Sequence, residues 1–431
     1  MVGDITLSIV EAFVALVTAA AVIALLARRI AVPYSVALVI FGLAAAFFAP
    51  QLDVVITEEL VLAVLLPGLI FEAAYNVDLT ELRRSFGGVT LLAVPGVVLT
   101  ALIVAVVLAL ATGLPLELGF VVGAMVAATD PASVIAIFKR LAAPKRLATM
   151  VEGESLFNDG TALVVFAIAL RAVTSDVSAV DAVTAFAGTV AFSVLIGGII
   201  GIVAARVVAT VDDHLIELTI SLATAYGAYL IADLFHESGI IATVVAGIIL
   251  GTYGRRIGMS QRTQQVLDTV WEFIAFLLTA LAFLLVGLAI TLPQLLDAAV
   301  PIAWAVAAIL VGRALAVYLL VGGTARLISD RFHPAIPVSW LHVMFWAGLR
   351  GAVAVAMALS LPVDFPQRAL LQEITFGVVL FTLLIQGTTT EMVIRRSGAT
   401  AHGLVQTGAE PPEAGPEPSP PTFHDDRAGS A

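Results

Sequence analysis

The sequence contains no cysteine, which excludes disulfides and thiolate-ligated metals and leaves the redox compartment open. Charge is also scarce. Only 12% of the 431 residues are Asp, Glu, Lys or Arg, against about 25% in an average soluble domain. No Walker A pattern is present, so nothing points to nucleotide-driven work. His236-Glu237 lacks a second histidine four residues after the first, so zinc-dependent hydrolysis is unsupported. Ser155 has no histidine close by in sequence to act as its base, and the chain reads as no enzyme. The net charge of −11 is spread over short loops and the C-terminal stretch, so no basic field for nucleic acid exists. Spanning β-strands are excluded too, because the apolar runs are long and do not alternate. What the chain has is hydrophobicity: 60% apolar residues and a mean hydropathy of +1.07. That composition belongs to an all-α polytopic membrane protein.

A span needs about 20 apolar residues. About thirteen such runs follow one another, at 5–27, 31–49, 57–75, 86–111, 117–138, 146–172, 182–209, 215–235, 239–253, 268–290, 296–323, 335–361 and 369–394. The first is long enough to span and has no basic front end, so no cleavable signal peptide is expected. Loops after odd-numbered spans carry Arg28/Arg29, Arg83/Arg84, Lys139/Arg140/Lys145/Arg146, Arg206, Arg255/Arg256/Arg262, Arg326/Arg331 and Arg395/Arg396. Loops after even-numbered spans carry only Arg171 and Arg368. This alternation places the N-terminus outside and the C-terminus in the cytoplasm. Gly408–Ala431 holds six prolines, five acidic residues and one arginine, and reads as part of a disordered tail over 397–431.

Two stretches carry the chemistry. Glu152–Gly160 reads Glu-Gly-Glu-Ser-Leu-Phe-Asn-Asp-Gly within an apolar span. Ser155 and Asp159 are four apart and share one helix face; Glu154 and Asn158 define the neighbouring face. Upstream, Thr129-Asp130-Pro131 interrupts span five, because proline removes a backbone donor and disfavours helix in the residue before it. Gly348-Leu-Arg350-Gly351 loosens span twelve in the same way. Spans four to six and eleven to thirteen thus form an inverted repeat, each with a broken central helix, the two breaks meeting near the midplane.

Intramembrane carboxylates are costly and functional by default, which singles out Asp159. Asp130 serves as an N-cap of the second half-helix, as an ion ligand, or as both. Ser155 either faces the site or bonds back to its own helix. Glu72 is either a second, water-mediated ligand or a charge in the access funnel. Arg313 and Arg350 both lie inside spans, and either could pair with Glu154; Arg313 is favoured.

Pro67-Gly-Leu-Ile-Phe-Glu-Ala-Ala74, Thr129-Asp-Pro131, Gly153-Glu-Ser-Leu-Phe-Asn-Asp-Gly160 and Gly348-Leu-Arg-Gly-Ala-Val-Ala354 resemble the sodium/proton antiporters of the NhaP and animal sodium/hydrogen exchanger type. The likeness covers residues 1–396. It implies a homodimer in the cell membrane with a mobile core over about 86–172 and 296–396. A dimerising scaffold over about 5–75 and 215–290 and a linker helix at about 182–209 complete the antiporter domain. It implies no cofactor, and sodium and protons as the transported species. Asp159, Asp130, Ser155 and the Thr129 carbonyl would ligate sodium, with Glu72 as an outer ligand. Electrogenic relatives resembling this fold carry an aspartate where Asn158 stands, so the expected exchange is electroneutral, one sodium for one proton, with both competing for Asp159. A potassium/proton antiporter of the same fold is the nearest alternative, and a cation channel a more distant one.

Overall fold

The computed structural model describes residues 16–27, 33–48, 60–175, 177–327 and 336–399, with residues 14 and 29. Most of the expected tail, the start of the first span with Glu11, and the loop positions Arg28 and Arg331 lie outside the described residues. Among the described residues there is no strand. Eight helices are long and apolar enough to cross a membrane: α4 (Leu79–Thr112), α7 (Lys145–Thr174), α8 (Ala179–Val208), α9 (His214–Leu234), α10 (Gly239–Ile257), α11 (Gln261–Ala289), α13 (Ala299–Thr324) and α16 (Arg368–Ser397). Shorter apolar helices are α1 (Leu16–Ala27), α2 (Tyr34–Phe48), α3 (Leu60–Asn76) and α5 (Leu116–Met125). Completing the set are α6 (Ala132–Leu141), the one-turn-and-a-half α12 (Leu292–Asp297), α14 (Val338–Trp346) and α15 (Ala352–Leu359). The pairs α5/α6 and α14/α15 are the two interrupted spans, so a helix or a broken pair stands at every expected crossing.

The ends of these helices follow local chemistry. Asp78 caps α4 by accepting from the Thr80 and Glu81 amides at 2.9 and 3.2 Å. Ser178 and Asp181 form a reciprocal capping box on α8. Asp213, Ser238 and Ser260 cap α9, α10 and α11. Pro95 falls within α4, where a π-helical turn (Leu92–Gly96) absorbs the missing donor. Further π turns occur in α13 (Leu315–Val321) and α16 (Thr382–Gly387).

Packing sorts the helices into two groups. In one, α4 packs on α5, α7 and α13, while α16 packs on α13, α14 and α15. In the other, α2 packs on α11, and α10 on α3, α8 and α9. The outer face of α8 presents Val180, Val183, Phe192, Leu195, Ile199 and Val203, an apolar strip suited to lipid. With no hydrophobic drive between helices inside a bilayer, close backbone approach carries the packing. Gly119 and Gly123 of α5 lie against the backbone of Ala105 and Ala101 of α4. A side chain at Gly123 would overlap the Ala101 carbonyl. Gly123→Val is therefore expected to lower the thermal midpoint of detergent-purified protein, at a cost of about 1–3 kcal/mol or more. Gly188→Ala, at an α8 glycine with open space around it, should not lower it. Equal midpoints for both variants would contradict the close-packing account.

Candidate functional site

The two breaks face each other. α5 stops at Met125 and α6 begins at Ala132; α14 stops at Trp346 and α15 begins at Ala352. The Asp130 amide donates to the Leu349 carbonyl at 2.8 Å, tying one break to the other. The Asp130 carboxylate accepts from the Ala132 amide at 3.0 Å and also from the Ala352 amide. One carboxylate therefore caps the N-termini of both second half-helices, where the partial charge is positive. A Cβ at Gly351 would occupy the space of that carboxylate, so the approach needs glycine.

The opposite ends carry the opposite charge. Arg350 is buried and its Nη1 donates to the Ala127 and Ala128 carbonyls, the latter at 2.9 Å, at the end of α5. Its backbone amide donates to Thr382 Oγ1 at 3.1 Å in the π turn of α16. Arg313 donates to the Met344 carbonyl in α14 from Nε at 3.2 Å and Nη2 at 2.7 Å. The same guanidinium forms a two-pronged ion pair with Glu154, Nη1 to Oε1 and Nη2 to Oε2, the second at 2.9 Å. Glu154 thus meets Arg313, and Arg350 is committed to the break.

α7 runs alongside as a bracket. Ser155 Oγ donates to the Thr129 carbonyl. Asn158 Nδ2 donates to Thr129 Oγ1 at 2.7 Å, and its Oδ1 accepts from the Thr129 amide at 3.3 Å. Ser155 therefore points at the break and not back along its own helix. Asp159 is different from its neighbours: its Oδ1 is buried and has no hydrogen-bond partner. It lies within electrostatic reach of Asp130. Thr129, Asp130, Ser155, Asn158 and Asp159 are thus brought together. Glu72 is not among them. It accepts from Asn76 Nδ2 at 3.0 Å and has Lys139, Glu272, Asp268 and Glu152 as its charged neighbours. The dual capping by Asp130 was not legible in the sequence, because Ala132 and Ala352 lie in different repeats. Thr382 carried no signal either, being one threonine among many in apolar spans.

Among the described residues no cluster of three His, Cys, Asp or Glu could hold a metal ion. The donors gathered here are a carboxylate, a hydroxyl and backbone oxygens, a set suited to a hard monovalent cation. Two broken helices crossing in an all-helical bundle, with carboxylates at the crossing, define a secondary transporter. The chain matches the family model described as sodium/hydrogen exchanger, transmembrane, over residues 15–396. It is 41% identical to the low-affinity Na+/H+ antiporter NhaS1 of Synechocystis sp. over 369 residues, covering 84% of this chain and 69% of that protein. It is 38% identical to the Na+/H+ antiporter NhaP of Pseudomonas aeruginosa, covering 79% and 81% respectively. The structure of the sodium proton antiporter MjNhaP1 from Methanocaldococcus jannaschii at pH 8 superposes with a TM-score of 0.75 at 19% identity, covering 91% of this chain and 99% of that one. The chain belongs to the sodium/hydrogen exchanger family, whose members are transporters and not enzymes.

The buried Glu154–Arg313 pair generates a stability prediction. Removing one partner leaves an orphaned charge, a loss of about 3–5 kcal/mol. Glu154→Ala and Arg313→Ala should each depress the thermal midpoint or yield, and the double variant should lose less than the sum. Strict additivity would show that the two groups do not interact. Arg350→Ala combined with Glu154→Ala should depart from additivity less than the Arg313 pair, because Arg350 feels Glu154 through charge alone and makes no hydrogen bond to it.

Proposed function

We propose that this protein exchanges sodium for protons across the cell membrane, one for one, with both ions competing for Asp159. The observation that carries the reading is the unpartnered Asp159 oxygen at the crossing, beside groups otherwise engaged with one another. A buried carboxylate without a partner is unstable as a bare anion and takes up either a proton or a cation. A sodium ion there would draw on Asp159, the Thr129 carbonyl, Ser155 Oγ and the free side of Asp130. The similar proteins are named as sodium/proton antiporters, which favours sodium over potassium.

Alternating access follows if the group holding both breaks, over about 86–172 and 296–396, moves against a scaffold over about 5–75 and 215–290, linked by the helix at about 182–209. The separation of the two packing groups supports this division. Scaffold would pair with scaffold in a homodimer, the N-terminus outside and the C-terminus in the cytoplasm, as the loop arginines suggest. Glu72, with Glu152, Glu272 and Asp268 near it, is best placed as a funnel charge that concentrates cations.

Asp159→Asn keeps the shape and removes the titratable group. In proteoliposomes with a lumenal pH dye, challenged with sodium, lithium and potassium in turn, the variant should show no cation-coupled proton movement while remaining folded. Sustained sodium-coupled flux in that variant would sink the mechanism. Asp130→Asn should be at least as damaging to stability as to transport, because the amide cannot accept fully from both half-helices.

Electroneutrality rests on the count of titrating groups. Asn158 cannot ionise, and Asp130 is engaged by the half-helix amides, which leaves Asp159 as the carboxylate with an open oxygen. Only Asp159 is then free to alternate, and each cycle moves one positive charge in each direction. Imposing a membrane potential with potassium and valinomycin should leave the sodium-driven pH change unaltered, once potassium is shown not to be transported. A rate that rises steeply with potential would mean a second proton carrier, with Asp130 the first to test.

A further inference from the structure

We propose that this chain binds a phosphate-bearing anion in an arginine-lined cavity between α4 and α10, a site separate from the ion crossing. The cavity measures about 520 Å³ and is lined by Leu79, Thr80, Arg83 and Arg84 of α4 and by Thr252 and Arg256 of α10. Arginine side chains from two different helices thus line one concavity, while the Thr252 hydroxyl is already bonded to the Ile248 carbonyl at 2.5 Å.

Most nearby charges are already paired. Arg84 pairs with Glu81 at 2.8 Å, and Asp78 pairs with Lys145 at 2.6 Å, so both local carboxylates are engaged. Arg255, beside Arg256, is also committed: it binds Asp268 at 2.6 Å and Asn76 at 2.8 Å and lies over the Tyr75 ring at 4.1 Å. Arg83 and Arg256 have no partner among the described residues, and both are exposed. An excess of arginine in loops on one side of a membrane orients the chain, but it does not require the side chains to converge on one concavity. Two unpaired guanidiniums lining one concavity favour an anion over a cation there. Their planar forks match phosphate oxygens, and the Thr80 hydroxyl is available to donate to the same oxygens. The volume exceeds what inorganic phosphate needs, so the favoured ligand is a larger phosphate-bearing anion, a phosphodiester headgroup or a pyrophosphate-sized compound.

The two walls belong to different packing groups. α4 packs chiefly on α5, α7 and α13, whereas α10 packs chiefly on α3, α8 and α9 and more lightly on α7. A bound anion would therefore tie these groups together and slow any movement of one against the other.

Two sources share this chemistry: a phospholipid headgroup and a soluble phosphate compound. The full chain would be placed in phosphatidylcholine nanodiscs, with or without phosphatidylglycerol, and separately exposed to pyrophosphate against a chloride control of equal ionic strength. A ligand that binds only the folded state raises the unfolding midpoint. Wild type should be stabilised by at least one probe, and Arg83→Gln/Arg256→Gln should weaken the apparent affinity at least tenfold. Arg206→Gln, an exposed arginine on α8 outside the cavity, should bind like wild type. Stabilisation by phosphatidylglycerol alone assigns the site to lipid, and stabilisation by pyrophosphate assigns it to a soluble anion. Equal stabilisation of wild type and the double variant, or none by either probe, would overturn the proposal. The measurement uses no ion gradient, so its outcome is independent of whether the protein exchanges sodium for protons.

Discussion

Everything at the centre of this bundle depends on how four severed helix ends are neutralised inside a membrane. Each break leaves amides at one half-helix and carbonyls at the other without intrahelical partners, and lipid offers none. Asp130 takes the two positive ends, at Ala132 and Ala352. Arg350 takes the carbonyls of Ala127 and Ala128, and Arg313 the carbonyl of Met344. Opposite charges thus stand on opposite sides of one crossing, each satisfied by backbone and not primarily by the other. Gly351 is required because the carboxylate comes too near for any Cβ. The arrangement stabilises a geometry that would otherwise cost several kcal/mol for each unsatisfied group.

With the ends satisfied, α7 can do two separate things. Ser155 and Asn158 hold Thr129 in place through its carbonyl, amide and hydroxyl. Glu154 anchors the same helix to Arg313 on α13 and, through it, to α14. This leaves Asp159 beside a rigid break with an oxygen that nothing in the chain satisfies. Under the proposed exchange, the free energy that other buried polar groups gain from hydrogen bonds would here be available to an arriving ion. The two aspartates therefore differ by environment: Asp130 is held by amides, and Asp159 is open.

The spans were legible because runs of about 20 apolar residues admit few other readings. The breaks were legible from Pro131 and from the glycines around Arg350, since both act on the backbone locally. The sequence favours Arg313 over Arg350 as the partner of Glu154 but leaves both open, because both sit deep in neighbouring spans. The choice turns on which carbonyls each guanidinium reaches, a property of the assembled crossing. The second amide on Asp130 comes from a residue in the other repeat, beyond any local rule. Glu72 shows the limit from the other side: a motif residue of the family, it bonds Asn76 within its own helix and stands among Glu152, Glu272 and Asp268. Arg83 and Arg256 read only as loop charges until α4 and α10 are placed side by side.

Asn158 shows how charge and structure are separable at a single position. Its Oδ1 accepts from the Thr129 amide, a bond that an aspartate would make equally well. Its Nδ2 donates to Thr129 Oγ1, and there an aspartate would instead accept once the threonine hydroxyl turned to donate. The break would therefore keep both bonds with either residue. What the amide adds is neutrality: it holds the break while placing no second titratable group next to Asp159. The hydrogen-bond geometry leaves the choice between amide and acid open, so the difference falls on the charge carried through the crossing. Under the proposed mechanism, an aspartate at this position would alter the number of protons exchanged without rebuilding the core.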